Sequence, residues 1–168
     1  MDRQRPPGTT THSASRVVHA EAERVFAALV DADALLRWLP PQGMTGHFER
    51  FDARTGGSYR LVLSYGPGAA GTGKTTADSD VVEVRFVELV PGVRVVEAVD
   101  FVAEDDAFAG TMTMTWGLSP AGSSTRVEIR AENVPPGIGA EEHTEGMASS
   151  LANLAAFLEG GRGEATME

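Results

Sequence analysis

The segment GIGAEEHTEGMASSLANLAAFLE, residues 137–159, decides the fold that we predict for this chain. It is the longest stretch that a helix can occupy without a proline, and we place the helix at residues 138–159. Acidic residues crowd its first turns, where they suit the positive end of the helix dipole. Apolar side chains recur at helical spacing on one face: Met147, Leu151, Leu154, Ala155 and Leu158. This apolar stripe has to be covered, and only the strand-like sequence upstream is large enough to cover it.

Composition limits the classes of protein to which the chain can belong. At 168 residues it is long enough for one domain with its own core. The net charge of −10 argues against nucleic acid or an anionic membrane as a partner. The absence of cysteine excludes disulfides, thiolate metal sites and a cysteine nucleophile. No apolar run has the length of a membrane span, so we predict a cytoplasmic protein without a membrane partner.

The ends of the chain have the polar composition of disordered tails. We predict a disordered N-terminal tail at residues 1–13 and a disordered C-terminal tail at residues 161–168. A single domain then spans residues 14–160. Its helix is expected to stop at the paired glycines Gly160 and Gly161.

The pattern of apolar residues predicts an α+β domain. A short strand at residues 15–19 leads into a helix at residues 21–30, and a second helix, capped by Asp31 or Asp33, ends before Pro40. The period then changes from helical to alternating, which predicts six antiparallel strands: residues 44–51, 58–65, 81–90, 93–102, 110–118 and 125–131. The predicted order is one strand, two short helices, six strands and the long helix. A curved sheet wrapped around that last helix is the economical packing.

Three groups of residues resemble one known family. The first helices contain Arg24, Val25 and Phe26, followed by Leu35, Leu36, Arg37 and Trp38. The first turn of the meander contains Asp52, Arg54, Gly56, Gly57 and Tyr59. The last helix contains His143, Gly146, Met147, Leu151 and Leu154, with Met147 where the family pattern has Trp. In this order and spacing they resemble the START-related helix-grip (SRPBCC) superfamily, and within it the bacterial AHSA-like branch named after the activator of a heat-shock-protein ATPase.

The resemblance implies a cavity between the concave sheet and the last helix. Members of the superfamily bind lipids, sterols, polyketides or plant hormones there, and some of them cyclise or dehydrate polyketides. We therefore predict that the chain binds a small apolar or amphipathic molecule, without metal or cofactor, and leave a homodimer open. The predicted ligand-binding residues are Trp38, Tyr59, Leu61, Phe86, Glu97, Met112, Met114, Trp116 and Met147.

Two further functions remain open at this stage. The first is an enzyme of the cyclase or hydratase type, in which Glu97 would be the proton donor or acceptor. The second is a co-chaperone-like or stress-response interaction module, which the family name alone suggests. Fold alone does not decide among these functions.

Glu97 is the charged residue with the most informative position. It shares phase with Val95 and Val99, so the alternation directs it to the apolar side of its strand. A carboxyl group there would lose its hydration and its pKa would rise, which suits a general acid or a polar anchor for a ligand. A bulge that shifts the phase would instead turn it to solvent.

Two other motifs have plainer interpretations. Residues 68–75 read GAAGTGKT, a formal match to a phosphate-binding loop that includes Lys74, but strand-like sequence follows where a helix is required. We favour a flexible hairpin loop. The four histidines lack metal-site spacing; we place His143 at the helix surface or the cavity mouth and leave the side of His47 open.

Overall fold

The structure, a computed structural model, describes residues 10–40, 44–65, 79–103 and 106–167. The elements in this part follow the predicted order. They are β1 (Thr11–Val18), α1 (Ala22–Leu29), α2 (Ala32–Trp38), β2 (Met44–Phe51), β3 (Ser58–Tyr65), β4 (Ser79–Val90), β5 (Arg94–Val102), β6 (Met112–Ala121), β7 (Ser124–Glu132) and α3 (Ala140–Met167). A short 3-10 helix, Asp106–Phe108, lies between β5 and β6.

The strands form one antiparallel sheet in the order β1-β7-β6-β5-β4-β3-β2. Strands β2 to β7 are a meander, and β1 pairs with β7 from Thr11 opposite Glu132 to Val18 opposite Thr125. Alternate side chains of β3 to β7 are buried on the inner face of the sheet, as the period of two predicts: Tyr59, Leu61, Val82, Val84, Phe86, Val95, Val99, Met112, Trp116, Val127 and Ile129. The predicted α+β helix-grip fold is confirmed.

The three helices cover that inner face. Asp31 caps α2, accepting a hydrogen bond from the Asp33 backbone N–H at 3.0 Å. The indole N–H of Trp38 donates to the Ala28 carbonyl at 3.0 Å and fixes α2 against α1. The buried face of α3 is the predicted one: Met147, Leu151, Leu154, Ala155 and Leu158. Of the strands, β1 lies closest to α3, so α3 is held near one edge of the sheet.

The turn between β2 and β3 needs both of its glycines, for different reasons. Gly56 has φ of 86°, a conformation that side chains with a Cβ rarely adopt. A Cβ on Gly57 would lie 2.2 Å from the Asp52 carbonyl oxygen. Glycine is therefore required at position 56 by its positive φ and at position 57 by the close approach of the backbone.

Both ends of the domain differ from the prediction. Strand β1 begins at Thr11, so the predicted tail at residues 1–13 is wrong for its last residues. The sequence of β1 lacks clear alternation because β1 is an edge strand with most of its side chains exposed. Its pairing with β7 is a long-range contact, which local sequence does not indicate. Residues 1–9 lie outside the described part.

Helix α3 continues through Gly160 and Gly161 to Met167, beyond the predicted stop. Residues 161–167, predicted as part of a disordered tail, are therefore helical. Glycine lowers helix propensity but keeps its N–H, so it does not break the i to i−4 hydrogen bonds as proline does. Two glycines weaken a helix without necessarily ending it.

The GAAGTGKT segment with Lys74 lies outside the described residues. Its surroundings, however, are described. Strands β3 and β4, which flank it, pair antiparallel, and β4 begins at Ser79. A phosphate-binding loop of the P-loop type leads from a strand into a helix, whereas the first element described after this segment is a strand.

Candidate functional site

A pocket of about 630 Å³ lies between the inner face of the sheet, α2 and α3. Strands β3 to β6 contribute three residues each to its wall, and α3 contributes the side opposite them. Eight of the nine predicted ligand-binding residues line it: Trp38, Tyr59, Leu61, Glu97, Met112, Met114, Trp116 and Met147. Their involvement in binding stays a prediction, but the fold does bring them together.

Phe86 does not line this pocket, which corrects its predicted position. Its ring is fully buried in an aromatic cluster, 5.5 Å from the Tyr59 ring and 6.3 Å from the Phe51 ring. Tyr59 thus lies both in the cluster and on the pocket wall. The alternation correctly predicted the face of Phe86 but could not show that other rings surround it.

Glu97 faces inward. The bulges lie outside β5: one in the neighbouring strand β4, between Phe86 and Glu88, and one in the more distant β2, between Phe48 and Arg50. The pairing of β5 with β6 is continuous from Arg94 to Val99, so the phase of Glu97 is preserved. Its side chain lies on the pocket wall and the residue is only 6% exposed.

Glu97 is held by two neutral donors. The Trp116 indole N–H donates to its Oε1 at 3.3 Å, and Tyr59 also hydrogen-bonds to its carboxyl group. Burial raises the pKa of Glu97 to about 7, although these two hydrogen bonds lower it. The pKa of the Tyr59 hydroxyl is raised well above 10 by burial and by Glu97, so the hydroxyl remains a donor at neutral pH. A carboxyl group with a pKa near 7 can bind a ligand group or transfer a proton.

Several contacts fix the Trp116 indole and helix α3 in the region of the Glu97 carboxyl group. The rings of Trp38 and Trp116 meet edge to face at 5.4 Å. Ser150 of α3 donates to the Leu39 carbonyl at 2.9 Å, and Asn153 donates to the Pro40 carbonyl at 3.1 Å. These bonds satisfy carbonyl groups at the end of α2 and join α2 to α3 across the pocket.

Comparison with known proteins agrees with this geometry. A family model described as Activator of Hsp90 ATPase homolog 1-like protein matches residues 19–159. The chain belongs to this family. The predicted resemblance to an AHSA-like helix-grip protein is confirmed. Comparison with curated proteins gives no match.

Several solved structures are similar to this chain. Protein CV1439 from Chromobacterium violaceum is 32% identical, with a TM-score of 0.78 over 89% of this chain and 96% of its own. Protein Mll3558 from Rhizobium loti is 25% identical, with a TM-score of 0.68 over 88% and 96%. A protein from Arthrobacter aurescens is 20% identical, with a TM-score of 0.71 over 92% and 89%, and shows likeness of fold alone.

The structure of this family member adds polar residues that our sequence prediction omitted. Asp80, Glu142 and Ser150 line the pocket. Asp80 shares phase with Val82 and Val84, so extending the alternation of β4 by one step would have found it. Glu142 and Ser150 each lie one helical turn from Gly146, so helical spacing would have placed all three on the same face of α3.

The pocket also has a histidine pair at its rim. His143 lines the pocket, as the predicted mouth position allows, and its Nδ1 lies 2.8 Å from Nδ1 of His12 on β1. His12 is buried, although it was assigned to a disordered tail. His47, whose side was open, is exposed on β2.

Two classes of site find no support in the described ranges. No group of three or more histidine and acidic side chains there could hold a metal ion. In the same ranges, no helix has both the length and the apolar content needed to cross a bilayer.

Proposed function

We propose that this protein binds a small apolar or amphipathic molecule in the pocket between the sheet and α3. The observation that supports this most directly is the size and chemistry of the pocket. Its volume of about 630 Å³ lies within the range of ligand sites, about 300–1,000 Å³. Its wall is mainly apolar and aromatic, with a few polar groups such as Glu97, the usual composition of such sites.

Methionine on the wall supports a ligand whose shape can vary. Met112 and Met114 approach from β6, and Met147 approaches from α3. Their side chains are flexible and polarisable, so they adapt to different apolar surfaces. Trp38 and Trp116 supply rigid surface at the same pocket.

Blocking the pocket tests the proposal. Gly146 lies on α3 one turn from His143 and from Ser150, both on the pocket wall, and a Cβ built on it meets no atom within 4 Å. The variant Gly146→Trp should therefore fill the pocket while raising helix propensity at that position. Ala148→Trp is the matched control, because Ala148 is exposed on the same helix and does not line the pocket.

The measurement is titration with the neutral, environment-sensitive dye Nile red. We expect saturable fluorescence with the unmodified chain and with Ala148→Trp, and at least about tenfold weaker binding to Gly146→Trp. Native mass spectrometry of the purified protein should also detect a small molecule bound to the chain. Equal dye binding by all three proteins would contradict the proposal.

A catalytic role for Glu97 is the second candidate, favoured by its pKa of about 7. A general acid or base is most effective when its pKa lies near the working pH. In that case Glu97→Gln would abolish turnover while the dye still bound. A co-chaperone-like role stays a prediction that rests on the family resemblance alone.

A further inference from the structure

The polar lining of the pocket is acidic. Asp80, Glu97 and Glu142 contribute three carboxyl groups. Among the lining residues that the structure describes there is no arginine or lysine, and His143 is the one basic side chain. A site for an anionic amphiphile usually offers a guanidinium or ammonium group to the acid. The described wall of this pocket offers the opposite charge.

We infer that the ligand is an apolar molecule that carries an amine, and that the ammonium group lies against Glu97. This inference rests on the proposed function and specifies the ligand class that the pocket selects. The closing experiment therefore tests pocket binding and charge preference separately.

Glu97 is the carboxyl group with most to gain from a cation. It is 6% exposed, and its hydrogen-bond partners are the Trp116 indole and the Tyr59 hydroxyl, both neutral. Two neutral donors orient the carboxylate but do not cancel its charge. An ammonium group supplies both the missing charge and up to three N–H donors for the remaining lone pairs.

The surrounding rings suit the same ligand. Trp116 and Tyr59 line the pocket beside Glu97, and an aromatic ring attracts a cation that lies over its face. A carboxylate in the same place would meet Glu97 as a like charge in a poorly hydrated pocket. It would have to bind as the neutral acid or force Glu97 to take a proton.

The electrostatics outside the pocket favour the same ligand class. The chain carries a net charge of −10, which attracts cations and repels anions. Glu142 is exposed on α3 and lines the pocket beside His143. An approaching ammonium group would therefore meet negative charge first at the rim and then at Glu97.

Three molecules with the same chain and different head groups provide the test: decylamine, decanol and decanoate. Each is titrated against Nile red bound to the unmodified protein at about pH 8, where Glu97, with a pKa of about 7, is mostly ionised. We expect decylamine to bind at least about tenfold more tightly than decanol, and decanoate at least about tenfold more weakly. Decanol measures the apolar contribution that all three share.

Two matched variants test which carboxyl group causes the preference for decylamine over decanol. Glu97→Gln should reduce the amine-to-alcohol ratio to within about threefold of one, and decanol binding by this variant measures how far the fold and the pocket survive the substitution. Glu142→Gln makes the same chemical change at the rim and should retain most of the preference. Persistence of the full ratio in Glu97→Gln would overturn the assignment to Glu97.

The two levels of the proposal fail in different ways. If decanoate binds as tightly as decylamine to a pocket that Gly146→Trp blocks, the inference on charge is wrong and the proposed function stands. If none of the three molecules displaces the dye, or if Gly146→Trp binds all of them normally, the proposed function itself is wrong.

Discussion

Two glutamates on neighbouring strands of one sheet show how strongly the two faces of this protein differ. Glu83 on β4 points outward and accepts hydrogen bonds from Arg50 at 2.6 Å and from Arg60. Glu97 on β5 points inward, and the donors to it among the described residues are neutral groups of Trp116 and Tyr59. The residue type is the same, so the face of the sheet decides its chemistry.

Their pKa values move in opposite directions. Burial is the largest single influence on Glu83 and raises its pKa, but the hydrogen bonds and charges of Arg60 and Arg50 together outweigh it, so the net pKa is lowered. Burial raises the pKa of Glu97 to about 7, and its two hydrogen bonds only reduce that rise. Glu83 on the outer face thus forms ion pairs in contact with water, whereas the Glu97 carboxyl group on the inner face stays available for exchange of a proton or a partner.

The largest expected effect is the dependence of stability on pH that comes from Glu97. Between its ordinary pKa of 4.5 and its folded value of about 7, the folded chain binds a proton that the unfolded chain has lost. The free energy of unfolding therefore falls as pH rises through this window, by roughly 3 kcal/mol from this residue. Glu97→Gln should remove that part of the slope and equal or exceed the unmodified chain in stability at about pH 8.

Urea unfolding at a series of pH values measures this effect. The chain has 24 acidic residues, whose mutual repulsion also changes with pH, so the informative quantity is the difference between the two proteins. That difference should become independent of pH well below pH 4.5, where Glu97 is protonated in both folded and unfolded states. Parallel curves across the whole range would show that Glu97 is not buried in the way described.

A smaller effect is expected from Tyr59→Phe. The Tyr59 hydroxyl stabilises the ionised form of Glu97, so its removal should raise the pKa of Glu97 further. At about pH 8 we expect a loss of about 1–2 kcal/mol in the free energy of unfolding, with a smaller loss at about pH 5. The same urea series provides the measurement.

A double-mutant cycle separates this contact from the aromatic packing of Tyr59. In the background of Glu97→Gln, the pH-dependent part of the Tyr59→Phe effect should disappear. Any loss in the free energy of unfolding that Tyr59→Phe still causes in this background would come from contacts of the hydroxyl with groups other than Glu97 and from ring packing against Phe51 and Phe86. An unchanged effect in that background would mean that the two side chains are not coupled.

The fold and much of the inner face could be predicted from sequence because both depend on local periodicity. A period of two placed Val95, Glu97 and Val99 on one side of β5, and a helical period placed Met147 on the inner face of α3. The phase of Glu97 stayed open until the structure located the bulges in β2 and β4 and not in the paired part of β5.

Long-range contacts were beyond that reasoning. His12 and His143 are 131 residues apart, and nothing near His12 in the sequence indicates that β1 pairs with β7 and lies against α3. For the same reason the ion pairs of Glu83 with Arg50 and Arg60 could not be assigned, because strand register decides which charges meet. Periodicity predicts the face of a residue, and register predicts its partners.

The smallest expected effect comes from Glu83 on the outer face. Its contribution to the free energy of unfolding changes with pH in the opposite direction to that of Glu97. Because the pKa of Glu83 is lowered, its contribution to stability is present above its ordinary value of 4.5 and is lost as pH falls below that. Glu83 is about one-third exposed, so Glu83→Gln should cost less than about 1 kcal/mol at neutral pH, and less again in about 1 M salt.

Glu88 on the same strand is the matched control for Glu83. It accepts hydrogen bonds from one arginine, Arg94, at 2.8 Å, and it is more exposed. Glu88→Gln should therefore cost less than Glu83→Gln, and salt should reduce both effects. Salt should leave the Glu97 difference nearly unchanged, because mobile ions screen exposed charges and do not reach a buried one. Equal sensitivity to salt at Glu83 and Glu97 would mean that the two faces do not differ in solvation.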